Sequence, residues 1–170
     1  ELINLYLKTS EEDLKFICDK KLKNYKNLDY IACWFLKASD YIYNSNIYFS
    51  FVTTNSITQG EQLGLLWSYI FNKQEEIYFA YNSFKCTNNA KGQAGVSVVI
   101  IGIRNNQQKK KYLFTNNIKK DVVYINAYLI QAQQIIIERT SKSISGLPSM
   151  IKGNQPTDGG HFILSLEDKE

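Results

Sequence analysis

A single histidine, His161, and three cysteines, Cys18, Cys33 and Cys86, are all the imidazole and thiolate ligands that this 170-residue chain offers. None stands at zinc-motif spacing, and an odd set of cysteines fits no disulfide framework. The sequence therefore reads against a metal site and for a reducing cytoplasm. Long apolar runs are missing too. Runs such as Val98 to Ile101, with Gly and Ala flanking it, are strand-sized, far short of the roughly 20 residues that cross a bilayer, so no membrane contact is expected. Glu11, Glu12 and Asp13 fall where a signal peptide would need apolar residues. The first residue is Glu rather than Met, which points to a processed or excised chain. Charge of one sign is also scarce: a net +4 permits contact with a polyanion without specifying one. The abundance of Asn, Ile, Lys and Tyr fits the coding bias of an AT-rich genome, so lysine counts carry no weight.

What is present is a globular composition, 44% hydrophobic and 14% aromatic, enough for one ordinary core with an appended segment. Ser10 to Lys23 predicts a helix, with acidic residues in its first turn and Leu14, Ile17 and Leu22 as its apolar stripe. Leu28 to Tyr43 repeats apolar residues at helical spacing through Tyr30, Ile31, Trp34, Phe35, Ala38, Tyr41 and Ile42. Ile47 to Thr54 predicts a buried strand. Thr58 or Gln59 opens the next helix, with Thr58 as its cap and Leu63, Leu66, Trp67, Ile70 and Phe71 inward. Glu76 to Ala80 and Ala94 to Ile103 are strand-like, separated by a polar loop, Tyr81 to Gln93, that holds one aromatic, Phe84. A parallel crossover needs a dozen or more residues and usually a helix. The last two strands are thus expected to pair as an antiparallel hairpin, closing the second half of an α/β sheet. Beyond Arg104 the character changes to a basic loop, Asn105 to Lys111, and short strands at Tyr112 to Phe114 and Ile135 to Glu138. A Gly/Pro-rich stretch, Gly146 to Gly160, follows. A boundary is placed near residue 120, giving segments 1–120 and 121–170.

Four stretches together resemble one family: LDYIACWFLKASDYI (28–42), FVTTNSITQGEQLGLLW (51–67), FAYNSFKCTNNAKGQAGVSVVIIGI (79–103) and SGLPSMIKGNQPTDGGHFILSLEDKE (145–170). Their order and spacing look like the MmeI-like adenine DNA methyltransferases of single-chain restriction–modification enzymes. The resemblance implies the C-terminal half of a class I S-adenosylmethionine-dependent methyltransferase sheet, ending in an antiparallel hairpin, then the entry to a target-recognition domain. It also implies methyl transfer to the exocyclic amino group of an adenine rotated out of double-stranded DNA, since that atom is unreachable in the stack. The family's Gly-rich donor turn and its Asn-Pro-Pro-Phe/Tyr motif are absent, the only prolines being Pro148 and Pro156. The parent is thus expected to be an enzyme that uses S-adenosylmethionine, while this piece alone neither holds the donor nor turns over.

By the resemblance, Phe84 stacks on the target adenine; from its residues alone the favoured reading is an ordinary loop aromatic tucked onto the sheet. Lys85 beside it is a candidate phosphate contact or a solvated lysine. The same loop departs from the family, with Tyr81, Asn82 and Cys86 where His, Arg and Trp are usual. Trp34, with Tyr30 one turn before it, corresponds to the wall of the donor's adenine pocket, against core packing as the plainer reading. Lys37 is assigned nothing. Asn55, with Ser56, Thr58 and Gln59, follows a strand at its carboxyl end, where open α/β sheets bind ligands. His161 has no catalytic partner at recognisable spacing, and Asp158-Gly159-Gly160 is a turn signal. Two other classes remain: a DNA-binding specificity module using the basic run Lys109 to Lys111, and an inactive truncated remnant. Half a sheet leaves a strand edge open, which invites self-association.

Overall fold

The computed structural model describes residues 11–86, 95–137 and 145–147. The chain divides into two compact units, Glu1–Arg139 and Thr140–Glu170. The elements below all belong to the first unit.

Helix α1 covers residues 11–18 of the described chain and ends before the predicted Lys23. It stops at Cys18, whose carbonyl accepts from the amides of both Lys21 (2.9 Å) and Leu22 (2.8 Å) and so closes a turn. Helix α2 (Ile31–Ile42) leads into strand β1 (Phe49–Thr54), and helix α3 (Gly60–Asn72) into β2 (Glu75–Cys86). Strands β3 (Val96–Asn105), β4 (Lys111–Thr115) and β5 (Ile118–Val122) complete one sheet of order β1-β3-β2-β4-β5.

The expected hairpin is there: β2 and β3 pair antiparallel from Glu75 opposite Asn105 to Cys86 opposite Val96. Strand β3 is also antiparallel to β1, so β1 and β2 run parallel with β3 slotted between them. Strand β4 is parallel to β2, and β5 returns antiparallel to β4. The sequence reading missed β5. Its signal is Asn116-Asn117, both at left-handed φ (49° and 62°), the two-residue turn geometry that matches strand twist in a hairpin. Ile135 to Ile137, expected as strand, belong to no helix or strand.

Helices α2 and α3 cover one face of the sheet. Phe35 packs edge-on to Phe51 (5.2 Å), Trp67 (6.0 Å) and Phe49 (6.1 Å). Trp67 also donates its indole N–H to the Ile57 carbonyl at 2.9 Å, so its burial leaves no donor unpaired. Burying each such side chain contributes about 1.5–3 kcal/mol. Against these the strands set Ile77, Val99, Ile101, Ile103 and Leu113.

The other face is different. Val52, Ile100, Tyr81 and Phe114 lie in register across four strands, with Tyr81 and Phe114 stacked at 4.1 Å. Here the predicted buried strand is corrected: β1 alternates, and Val52 is 63% exposed. Its β-branched and aromatic content reflects strand propensity, whereas burial on both faces needs a second layer that the described residues do not provide. The apolar stripe predicted on α2 is corrected likewise. The buried positions are Ala32, Cys33, Phe35, Leu36, Ser39 and Ile42, and Trp34 and Tyr41 point outward. Ser39 can be buried because its hydroxyl donates to Glu75 at 2.9 Å.

Among the described residues, no helix is long and apolar enough to cross a membrane. His161, Asp158-Gly159-Gly160 and most of Gly146 to Gly160 lie outside the described residues.

Candidate functional site

Several elements converge at the carboxyl ends of the parallel strands β1 and β2. Thr54, Val98 and Phe84 stand in register across β1, β3 and β2. Two strand spacings of about 4.8 Å place the end of β1 roughly 10 Å from the backbone of Phe84. Asn55 is the next residue after β1 and opens a 3-10 turn, Asn55–Thr58.

The amino end of α2 reaches the same edge, and Asp29 fixes it there. One carboxylate oxygen accepts from Ser56 Oγ and from Gln62 Nε2, both at 2.9 Å. The Asp29 amide donates to Gln62 Oε1 at 3.3 Å, and Ser56 Oγ lies 2.7 Å from Thr54 Oγ1. Asn27 adds a second tie by donating to Glu61 at 2.7 Å. The start of α2, the turn after β1 and the first turn of α3 are therefore one hydrogen-bonded unit. Asp29 was not singled out from the sequence; an acidic residue just before a helical run was its only signal, and that signal ordinarily marks a cap.

Phe84 sits in strand β2, not in the predicted polar loop. The ladder with β3 continues beyond Ala80 through a register shift between Tyr81 and Phe84, a bulge that polar residues at a strand end accommodate readily. The ring is still 42% exposed. Lys85 follows it, exposed, opposite Ser97. Trp34 is 50% exposed in the first turns of α2, so it is not core packing. Tyr30 differs from it: its hydroxyl donates to Asp13 at 2.9 Å and is committed to α1. Thr58 does not cap α3. Its hydroxyl turns back to the Asn55 carbonyl at 2.8 Å, and the residue before the helix is Gln59, with no side-chain cap bond. The structure thus brings Asn55, Phe84, Lys85, Tyr30 and Trp34 to one end of the sheet.

Of the basic run, only Lys111 is held in a largely buried ion pair. Lys111 pairs with Glu76 at 2.7 Å and Lys110 with Asp121 at 3.2 Å, while the carbonyls of Lys109 and Lys110 accept from Arg104. An open polar groove of about 660 Å³, lined by Asn44, Gln74, Asn105 and Gln107 among others, lies at the opposite, amino end of β1 and β2. Among the described residues no cluster of His, Cys, Asp or Glu could hold a metal ion.

An antiparallel strand inserted between two parallel ones, with the polar edge at their carboxyl ends, defines the class: the closing half of a class I methyltransferase sheet. The family follows from comparison. Residues 5–115 match the model described as MmeI, DNA-methyltransferase domain, and residues 131–170 match that of the MmeI target recognition domain; the chain belongs to the MmeI family. It is 44% identical over 149 residues to DNA methyltransferase A of Bacillus subtilis (strain 168), a match covering 87% of this chain and 17% of that protein. It also superposes with a TM-score of 0.80 and 38% identity on the Type IIL restriction-modification enzyme MmeI in complex with DNA, covering 89% of this chain and 21% of MmeI. The chain spans about a fifth of the length of these relatives.

Proposed function

We propose that this chain is the C-terminal half of the methyltransferase domain, residues 1–120, and the entry to the target-recognition domain, residues 121–170, of a cytoplasmic adenine-specific DNA methyltransferase in a restriction–modification system. The family matches at residues 5–115 and 131–170 support that division. The parent transfers a methyl group from S-adenosylmethionine to the exocyclic amino group of an adenine rotated out of duplex DNA. One observation carries the reading: a half-exposed phenyl ring, Phe84, at the ligand-binding end of a methyltransferase sheet. A base taken out of the stack loses its π neighbours, and an exposed ring at this edge replaces one of them.

The residues present fit one wall of a donor site. The exposed indole of Trp34 would face the donor's adenine, with Tyr30 held behind it by Asp13. S-Adenosylmethionine supplies the activated methyl group. This chain's share is to place Phe84 against the base, Lys85 near a phosphate and Asn55 along the cleft. The sequence lacks both the Gly-rich donor turn and the Asn-Pro-Pro motif, so the isolated chain should bind the donor weakly and transfer nothing. Calorimetry tests this: micromolar binding to the isolated chain, about −8 kcal/mol, would overturn the fragment reading. In the parent, incubation with donor and duplex DNA should yield methylated adenine; methylated cytosine alone would refute the adenine assignment. Among the described residues β1 pairs only with β3, and its other edge is proposed to drive self-association of the isolated chain; sedimentation showing a monomer at high concentration would exclude that.

A further inference from the structure

Cys18 ends α1 and Cys33 lies in the first turns of α2, and their Sγ atoms are 4.0 Å apart inside the core. Neither thiol takes part in the site described above, and both are out of solvent. A disulfide brings its sulfurs to about 2.05 Å, so the two thiols must close by about 2 Å, through side-chain rotation or a shift of α1. The described part of α1 meets the core through Leu14, Ile17 and Cys18. Glu11, Glu12, Lys15 and Phe16 on it are exposed, which leaves few core contacts to resist movement or local opening. Such opening also gives a small oxidant access to Cys18.

We propose that Cys18 and Cys33 are a reversible thiol pair, which a hydroperoxide converts into an intramolecular disulfide that staples α1 to α2. Cys18, at the end of the largely exposed α1 and so reached first when that helix opens, is the attacking thiol. The hydrogen bond from Cys33 holds it below the ordinary thiol range despite burial, helped by the Lys21 ammonium. The same hydrogen bond, and then burial, push Cys33 up. In the first step Cys18 thiolate attacks one peroxide oxygen; the O–O bond breaks, hydroxide or an alkoxide leaves, and Cys18 becomes a sulfenic acid. In the second, Cys33 sulfur attacks Cys18 sulfur, the S–O bond breaks, and the thiol proton departs with the hydroxyl as water. Two thiols are oxidised by two electrons and one peroxide is reduced. Asp13, the partner of Tyr30, rides on the stapled helix, so oxidation fixes the support of one wall of the candidate cleft.

The test is a peptide map of the reduced 170-residue chain after hydrogen peroxide. The expected product has lost two hydrogens, joins the Cys18 peptide to the Cys33 peptide, and reverts with dithiothreitol. Cys86, exposed at the end of β2, stays open to alkylation within one chain. The oxidised chain should melt several degrees higher, because the crosslink shortens the unfolded chain. Cys33→Ala should leave Cys18 as a sulfenic acid that dimedone traps; should that variant not fold, the wild-type map decides alone. Oxidation confined to Cys86, or Cys18 and Cys33 both still free after peroxide, overturns the proposal.

Discussion

Arg104 Nε donates to Glu76 Oε1 at 2.8 Å, and both side chains are almost fully removed from water. The pair faces across the β2–β3 ladder. It also gathers Lys111, 2.7 Å from the other carboxylate oxygen, and the Gln107 amide at 3.1 Å. The guanidinium lies over the rings of Tyr78 and Tyr48. One buried carboxylate thus anchors the chain as it passes from β3 to β4.

Removing that carboxylate strands buried charge. Glu76→Ala is expected to cost about 3–5 kcal/mol, the usual penalty for breaking a buried pair by deleting one partner. Glu76→Gln should cost less, since the amide oxygen still accepts from Arg104. Urea unfolding of the three proteins measures it; an Ala variant within 1 kcal/mol of wild type contradicts the anchoring role.

Glu75, its neighbour, is in the opposite condition. Burial pushes its carboxyl above the ordinary range, against the pull of Ser39 and Lys73, and Oε2 has no hydrogen-bond partner. A carboxyl whose folded pKa exceeds its unfolded value stabilises the fold fully below the unfolded value of 4.5. That contribution is lost as pH rises through the folded value. Glu75→Gln should therefore be the more stable protein at neutral pH, by about 1 kcal/mol, with the gap closing towards pH 4. Melting curves against pH check the sign, and a Gln variant equally destabilised at every pH contradicts it.

Gly102 faces Phe79 across the same ladder, and a Cβ there would collide with the Phe79 ring and crowd Tyr78 Cε1 at 2.8 Å. Gly102→Ala is expected to destabilise by about 1–3 kcal/mol. Gly102→Ala with Phe79→Leu should recover part of that loss, because the smaller side chain vacates the space. Thermal unfolding of the single and double variants reads the coupling.

Phe84 is the test of base stacking in the parent enzyme. Phe84→Ala should lower methylation about ten- to a hundredfold, corresponding to roughly 1–3 kcal/mol of stacking, with little change in melting temperature because the ring is half exposed. Phe84→Trp and Phe84→Tyr should keep more activity, each retaining a π-face. A destabilised Ala variant with normal specific activity would end the stacking hypothesis.

Local pattern determined much of this protein. The stretch between Ala80 and Ala94 carries no helical pattern, and a parallel crossover usually needs a helix, which made β2 and β3 a hairpin before any coordinates. Unusual strings such as TNSITQGEQ carried the family, and the end of a strand pattern placed Asn55 just beyond the carboxyl end of β1. These readings rest on neighbours in sequence, where chain length and turn chemistry leave few choices. Tertiary structure decided the rest. An antiparallel strand can add at an edge or insert between parallel ones, and only the register shows β3 inserted. Trp34 and Val52 look like core in any hydrophobic pattern, yet they face outward, because burial depends on what lies across from a side chain and not on its own polarity. Glu76 and Arg104 look like surface and are interior, because each neutralises the other across a ladder. Asp29 joins three elements that are far apart in sequence, and no periodicity encodes a contact between a helix start, a turn and a second helix.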